Sequence, residues 1–228
     1  MIIYGKQVCL HALSQHESSV KTVYIAKKGI LPQKLYDRYK SRIKFLENKW
    51  AQSMAKGGNH QGILIDMEEF VQSDLATMKE SSFVLVLDSL TDVGNIGAVV
   101  RTSYALGVGG IIASGVKQLN FASIVRSSSG AMLDMPFVII PNVLDVINEL
   151  KQVEFKVYGA SMDGLAINSC KFSGKRALVL GSEGEGISKR AKSKIDEMIS
   201  IEMYREFDSL NVSAAAAILI DRMRYEVK

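Results

Sequence analysis

From residue 83 onward, short apolar runs alternate with stretches of helical periodicity, and this alternation constrains the fold more than any other feature of the 228-residue chain. The runs lie at 83–88, 110–113, 137–140, 158–161, 177–180 and 198–201. They are bounded by turn residues and are too short to be helices. Helical patterns fall at 96–106, 120–128, 143–152, 187–195 and 210–225. Strand and helix in alternation predict an α/β domain with a mainly parallel sheet, because each crossover helix must cover a sheet face.

The first 67 residues read as a separate small α/β unit. Val8, Leu10 and Leu13 suit a first helix, residues 20–26 alternate like a strand, and residues 31–42 read as a helix carrying Lys34, Arg38, Lys40 and Arg42. Residues 43–46 and 62–65 are short strand candidates, the second preceded by Gly57-Gly58-Asn59-His60-Gln61. Residues 68–82 are polar and acidic, with Gln72, Ser73, Asp74, Ser81 and Ser82, and read as a linker with some helical character. The expected organisation is therefore 1–67, a linker at 68–82, and 83–228.

Composition narrows the function classes. Two cysteines, Cys9 and Cys170, are too few for a disulfide framework or a zinc site, and their plain reading is as buried small hydrophobes. No apolar run reaches membrane-spanning length and the start lacks a signal-peptide run, so the expectation is a soluble, cytoplasmic protein without a membrane partner. A net charge of +4 permits an RNA partner without demanding one.

Three segments carry candidate chemistry. In Ser209-Leu210-Asn211-Val212-Ser213, followed by Ala214 to Ala217, a polar cluster opens the last helix. Asp208 and Ser209 are good N-cap types, and Ser209 and Asn211 are expected at the positive end of its dipole. The loop Gly181-Ser182-Glu183-Gly184-Glu185-Gly186 follows a strand and precedes a helix. Glycines at 181, 184 and 186 allow positive φ and close approach of a ligand, although a tight strand-to-helix turn explains them as well. Its two glutamates disfavour a pyrophosphate and suit a neutral adenosine moiety. The third segment, residues 88–102, contains Asn95 near a helix start and Arg101 six residues on. An arginine among Ala98, Val99, Val100 and Ala105 would be costly to bury unpaired. A salt bridge to Asp88, Asp92 or Glu183 and a role in catalysis both remain open from the residues alone.

In order, spacing and wording these three segments resemble the three motifs of the SpoU (TrmH-like) branch of the SPOUT RNA methyltransferases, with the extension at the start most like that of the 23S rRNA guanosine 2′-O-methyltransferases. The resemblance implies a SPOUT-type domain with a deep trefoil knot, preceded by a small L30e-like RNA-binding domain. Sequence physics alone would never propose the knot. It implies S-adenosyl-L-methionine as cofactor, held by backbone at Gly181, Ile201 and Leu210 with Leu180, Gly184 and Met203 around it. It implies Arg101, Asn95, Glu183, Ser209 and Asn211 as the catalytic set, RNA as substrate (23S rRNA, with tRNA as the alternative), and a homodimer. Val93 departs from the pattern, standing where the branch commonly has proline. Nothing in the sequence demands a metal, and no histidine lies in the motifs.

The last helix points to the dimer independently, since Ile218, Leu219, Ile220, Met223 and Tyr225 offer more apolar surface than one face needs. Two rival classes can be set beside the enzyme. A non-catalytic RNA-binding assembly factor has no need of all five candidate residues, and a dinucleotide enzyme lacks its glycine fingerprint after an early strand. His60 reads equally as an RNA contact or as a turn residue with a local hydrogen bond. Residues 117–131, with Lys117, Asn120 and Arg126, read equally as an RNA contact or as a solvated helix and turn.

Overall fold

The computed structural model describes residues 1–172, 174–205 and 208–225. In chain order the elements are β1 (Ile2–Tyr4), α1 (Lys6–Gln15), β2 (Val20–Ile25), α2 (Gln33–Tyr39), β3 (Ile43–Phe45), α3 (Asn48–Met54), β4 (Ile63–Met67) and α4 (Leu75–Glu80). They continue with β5 (Phe83–Asp88), α5 (Val93–Ala105), β6 (Gly110–Ser114), α6 (Phe121–Ser127), β7 (Phe137–Ile139) and α7 (Val143–Lys151). The chain closes with β8 (Lys156–Ala166), β9 (Arg176–Gly181), α8 (Lys189–Lys192), β10 (Glu197–Ser200) and α9 (Val212–Met223).

Two compact units result, Met1–Val71 with Asn120–Leu133, and Gln72–Leu119 with Asp134–Lys228. The first holds a four-stranded sheet in the order β1-β4-β2-β3, with β2 and β3 parallel and the other pairs antiparallel. Ala51 of α3 and Ala55, which follows it, pack on Leu64 of β4 with Ile2, Tyr4 and Tyr24 beside them. β1 and α3 were not legible as elements, since three residues show no period and α3 opens polar. The basic helix read at 31–42 is cut short. α2 starts after Pro32, and Lys40–Arg42 tighten into a 3₁₀ turn. Residues 120–133, placed by sequence in the second domain, return to this unit. α6 packs on β1, the Arg126 guanidinium lies 5.0 Å from the Tyr4 ring centre, and Phe121 meets Phe70 at 4.8 Å. His60 is a buried turn residue whose Nδ1 accepts from Gly62 N at 3.1 Å, which is the local reading.

The second unit is built on a six-stranded sheet in the order β10-β8-β9-β5-β6-β7, every pairing parallel. All six residues of β5 are buried, as an inner parallel strand requires. On one face Val84, Val86, Ile112 and Val179 meet Val146, Ile147 and Leu150 of α7. Burying each such side chain contributes about 1.5–3 kcal/mol. α5 packs against α9, and α9 against β9. Arg176 in β9 is buried and closes the C-terminal end of α9, its Nε donating to Met223 O at 2.6 Å and its Nη2 to Arg224 O at 3.0 Å. A cation at that end of the helix dipole satisfies carbonyls that the helix leaves open. Cys9 and Cys170 are free and buried, and burial pushes both thiols up. Among the described residues no helix is long and apolar enough to cross a membrane.

Two local departures shape the site. The strand read at 158–161 runs on to Ala166, but its pairing with β10 jumps: Met198 is opposite Gly159 and the next residue, Ile199, is opposite Leu165. Residues 160–164 therefore bulge from the ladder. The helix read at 187–195 shrinks to α8, capped by Ser188, whose Oγ accepts from Ala191 N at 3.3 Å; before it, Ser182–Gly186 form a turn closed by Gly186 N donating to Ser182 O at 2.9 Å.

Candidate active site

A cavity of about 390 Å³ opens where β8, β9 and β10 end. Its floor is Leu180 and Gly181 from β9 with Ser200 and Ile201, and one wall is the bulge at Ala160–Asp163. Leu210, Val212, Ala215 and Leu219 cover it from α9 and the segment before it, while Glu183, Met203 and Ser209 stand at its edge. The volume and mainly apolar walls suit a small organic ligand. Asp163 and Glu183 also line it and favour a ligand that carries positive charge, and Lys192 can meet a carboxylate.

Beside the cavity, three separated segments converge. Glu183 Oε1 accepts from the Asn95 side-chain amide and from Asn211 Nδ2, the latter at 3.3 Å; Asn211 Nδ2 also donates to Asn95 Oδ1 at 3.0 Å. Local sequence sets each position. Asp92 caps α5 by accepting from Asn95 N at 2.7 Å, which fixes Asn95 in the first turn. Asn211 is itself the cap of α9, its Oδ1 accepting from Ser213 N at 2.9 Å. Asp208 and Ser209 are therefore not the caps, and the helix begins two residues later than their chemistry suggested. Asp88, buried at the end of β5, accepts from Ser188 N at 2.8 Å and so ties the Asn95 segment to the Glu183 loop.

Leu180, Gly181, Glu183, Ile201, Met203, Ser209 and Leu210 line the cavity. Arg101 and Gly184 do not line it. Arg101 is exposed on α5, so the argument from burial falls away: Val99 and Val100 take the inward face and the next position turns out. It lies about 9 Å along the axis from Asn95 and roughly 120° round it. Gly184 is exposed, and an added Cβ there meets nothing within 4 Å. Of the three loop glycines only Gly186 has positive φ, at 65°. Gly181 is required for a different reason: its Cβ would stand 2.0 Å from the Gly186 carbonyl carbon.

The bulge and the lining positions Ser200, Val212, Ala215 and Leu219 were not read as part of the site. A signal for the bulge was present. Gly159 and Gly164 bracket Ser161-Met162-Asp163 inside an apolar run, and glycine within a strand marks a bulge or a close backbone approach. A Cβ on Gly164 would come within 2.6 Å of the Ile199 backbone.

The SpoU rRNA Methylase family matches residues 82–221, more than half of the sequence. The chain belongs to the SpoU rRNA methylase family. That places the protein among the RNA methyltransferases. A second family, described as RNA 2′-O ribose methyltransferase substrate binding, matches residues 2–71. The 23S rRNA (guanosine-2′-O-)-methyltransferase RlmB of Neisseria meningitidis is 27% identical, over 97% of this chain and 94% of its own. The protein of that name from Yersinia pestis is 32% identical, over 78% and 76%. The SpoU methyltransferase AviRb of Streptomyces viridochromogenes, solved in complex with AdoMet, superposes with a TM-score of 0.78 at 20% identity, covering 98% of this chain and 89% of that one, and shares the fold.

For this SpoU methylase the glycines give a direct test. Gly181→Ala should force the Ser182–Gly186 turn apart and weaken S-adenosylmethionine binding by about tenfold or more, whereas Gly184→Ala should bind as the wild type does. Equal affinity of the two variants by calorimetry would remove the loop from the pocket.

Proposed function

We propose that the protein is an S-adenosyl-L-methionine-dependent RNA ribose 2′-O-methyltransferase acting on a guanosine of 23S rRNA. The observation that carries this reading is the meeting of Asn95, Glu183 and Asn211 at the edge of the cavity, in a chain of the SpoU family. The cavity passes a physical test for the cofactor. Leu180, Ile201 and Leu210 offer apolar walls to an adenosine, the turn held by Gly181 and Gly186 offers backbone groups, and Asp163 and Glu183 suit a cation. When bound, S-adenosylmethionine supplies an electrophilic methyl group on a sulfonium.

The chain's own residues then divide the work. In-line displacement by a ribose hydroxyl needs alignment and stabilisation of developing alkoxide charge. Arg101 supplies the positive charge that acidifies the 2′-hydroxyl. Its part is electrostatic rather than that of a base, since a guanidinium offers donors and no acceptor. Ser209 and Asn211 orient the hydroxyl, and Asn95 and Glu183 hold the loops in register.

The division of labour follows charge. The first unit carries twelve Lys and Arg against six Asp and Glu, a net of +6, while the second carries sixteen against eighteen, a net of −2. The first unit, the L30e-like start with residues 120–133, thus serves RNA affinity, and the second unit the chemistry. The threaded trefoil of the SPOUT branch belongs to the same reading, and the backbone approach of Gly164 to Ile199 supports it. A homodimer is supported by exposed Tyr104 of α5 and exposed Ile218 and Tyr225 in and after α9, beside Arg101 on α5. Such an enzyme works in the cytoplasm. Mapping ribose methylation in cells lacking the gene should show one guanosine of 23S rRNA unmethylated. A lost tRNA methyl instead would move the substrate to tRNA, and an unchanged map would remove the reading.

A further inference from the structure

Trp50 is the only tryptophan in the chain, and it is 62% exposed in the first turns of α3. Phe45, which ends the outer strand β3, is 58% exposed. Among the described residues of the first unit these are the two exposed aromatic rings. An uncovered phenylalanine on an edge strand is an aggregation liability that a chain normally removes. Here it is kept, and exposed Lys44 and Lys49 directly precede the two rings in the chain, with Glu47 as the one acid between them. Arg42, a few residues back, is pinned to the carbonyls of Glu17 and Val20 and sits over Tyr39, which leaves the lysines as the adaptable cations.

We propose that Phe45 and Trp50 form a stacking platform for unpaired bases of the RNA, with Lys44 and Lys49 on the adjoining phosphates. This rests on the reading of the protein as an RNA methyltransferase and names where the substrate is held. Basic residues interleaved with exposed aromatic rings are the chemistry of single-strand binding, since every base has a π face and every nucleotide a phosphate. A duplex offers its phosphates but not its base faces. A second copy of the chain fits poorly, because a symmetric contact would set Lys44 and Lys49 of a +6 unit against their own likes.

The single tryptophan makes the test direct. The full chain is titrated with an unpaired uridine-rich RNA and with a duplex of equal length, while fluorescence and an independent binding assay are followed together. Unpaired RNA should quench Trp50 saturably. Phe45→Ala and Trp50→Ala should each weaken unpaired-RNA binding about fivefold to a hundredfold, Trp50→Phe should keep most of it, and duplex binding should change less than about twofold. Unchanged S-adenosylmethionine affinity shows that the variants are folded. RNA binding with silent Trp50 fluorescence, or alanine variants that bind as the wild type does, would overturn the platform while leaving the methyltransferase reading intact. A fluorescence change with protein concentration alone would assign the surface to a second copy and overturn it too. Absence of all RNA binding and all methyl transfer would overturn both.

Discussion

Arg101→Ala should lower methyl transfer about a hundredfold or more while leaving S-adenosylmethionine affinity and thermal stability close to wild type. The size follows from the role. Removing a group that stabilises charge only as it develops costs on the order of 10²–10³ in kcat. The selectivity follows from the structure: Arg101 is exposed and does not line the cavity, so its loss leaves no void and no cofactor contact missing. Exposed substitutions of this kind change stability by about 0.5 kcal/mol or less. Arg101→Lys should also be poor, since lysine keeps the charge but not the planar fork. Near-normal turnover by Arg101→Ala would return the residue to a structural role.

The second large effect concerns where that arginine acts. Asn95 and Arg101 share a helix yet face directions roughly 120° apart, and Asn95 is already engaged with Glu183 and Asn211. In the proposed homodimer, exposed Tyr104 of α5 and Ile218 of α9 would lie in the interface, with one chain contributing Arg101 and the other Asn211. Arg101→Ala and Asn211→Ala should each be nearly inactive alone. After subunit exchange, half of the dimers are mixed and half of their sites are intact, so about a quarter of wild-type activity should return. Activity no greater than the two variants show separately would mean that Arg101 serves its own chain.

What the sequence made legible, and what it hid, divides along physical lines. The strand–helix alternation after residue 83 was readable because buried parallel strands leave short apolar runs bounded by turn residues, and β5 is the plainest case. The meeting of Asn95, Glu183 and Asn211 was readable only through the motifs, since no periodicity links positions 88 and 28 residues apart in the chain. The exposure of Arg101 was not legible, because apolar neighbours in sequence are not neighbours on a helix face. Gly184 was included with Gly181 because composition cannot tell a glycine needed for close packing from one that is simply exposed. The return of residues 120–133 to the first unit was invisible, as it depends on contacts between α6 and β1 that lie far apart in the chain.

The central claim is that the methyl group goes to a ribose oxygen of RNA. Purified protein can be incubated with 23S rRNA lacking the modification and with methyl-labelled S-adenosylmethionine, and the RNA then digested to nucleosides and resolved by mass. The account predicts label in 2′-O-methylguanosine, absent when Arg101→Ala replaces the wild type. Label on a base, or no transfer by a protein that binds both RNA and cofactor, would contradict it.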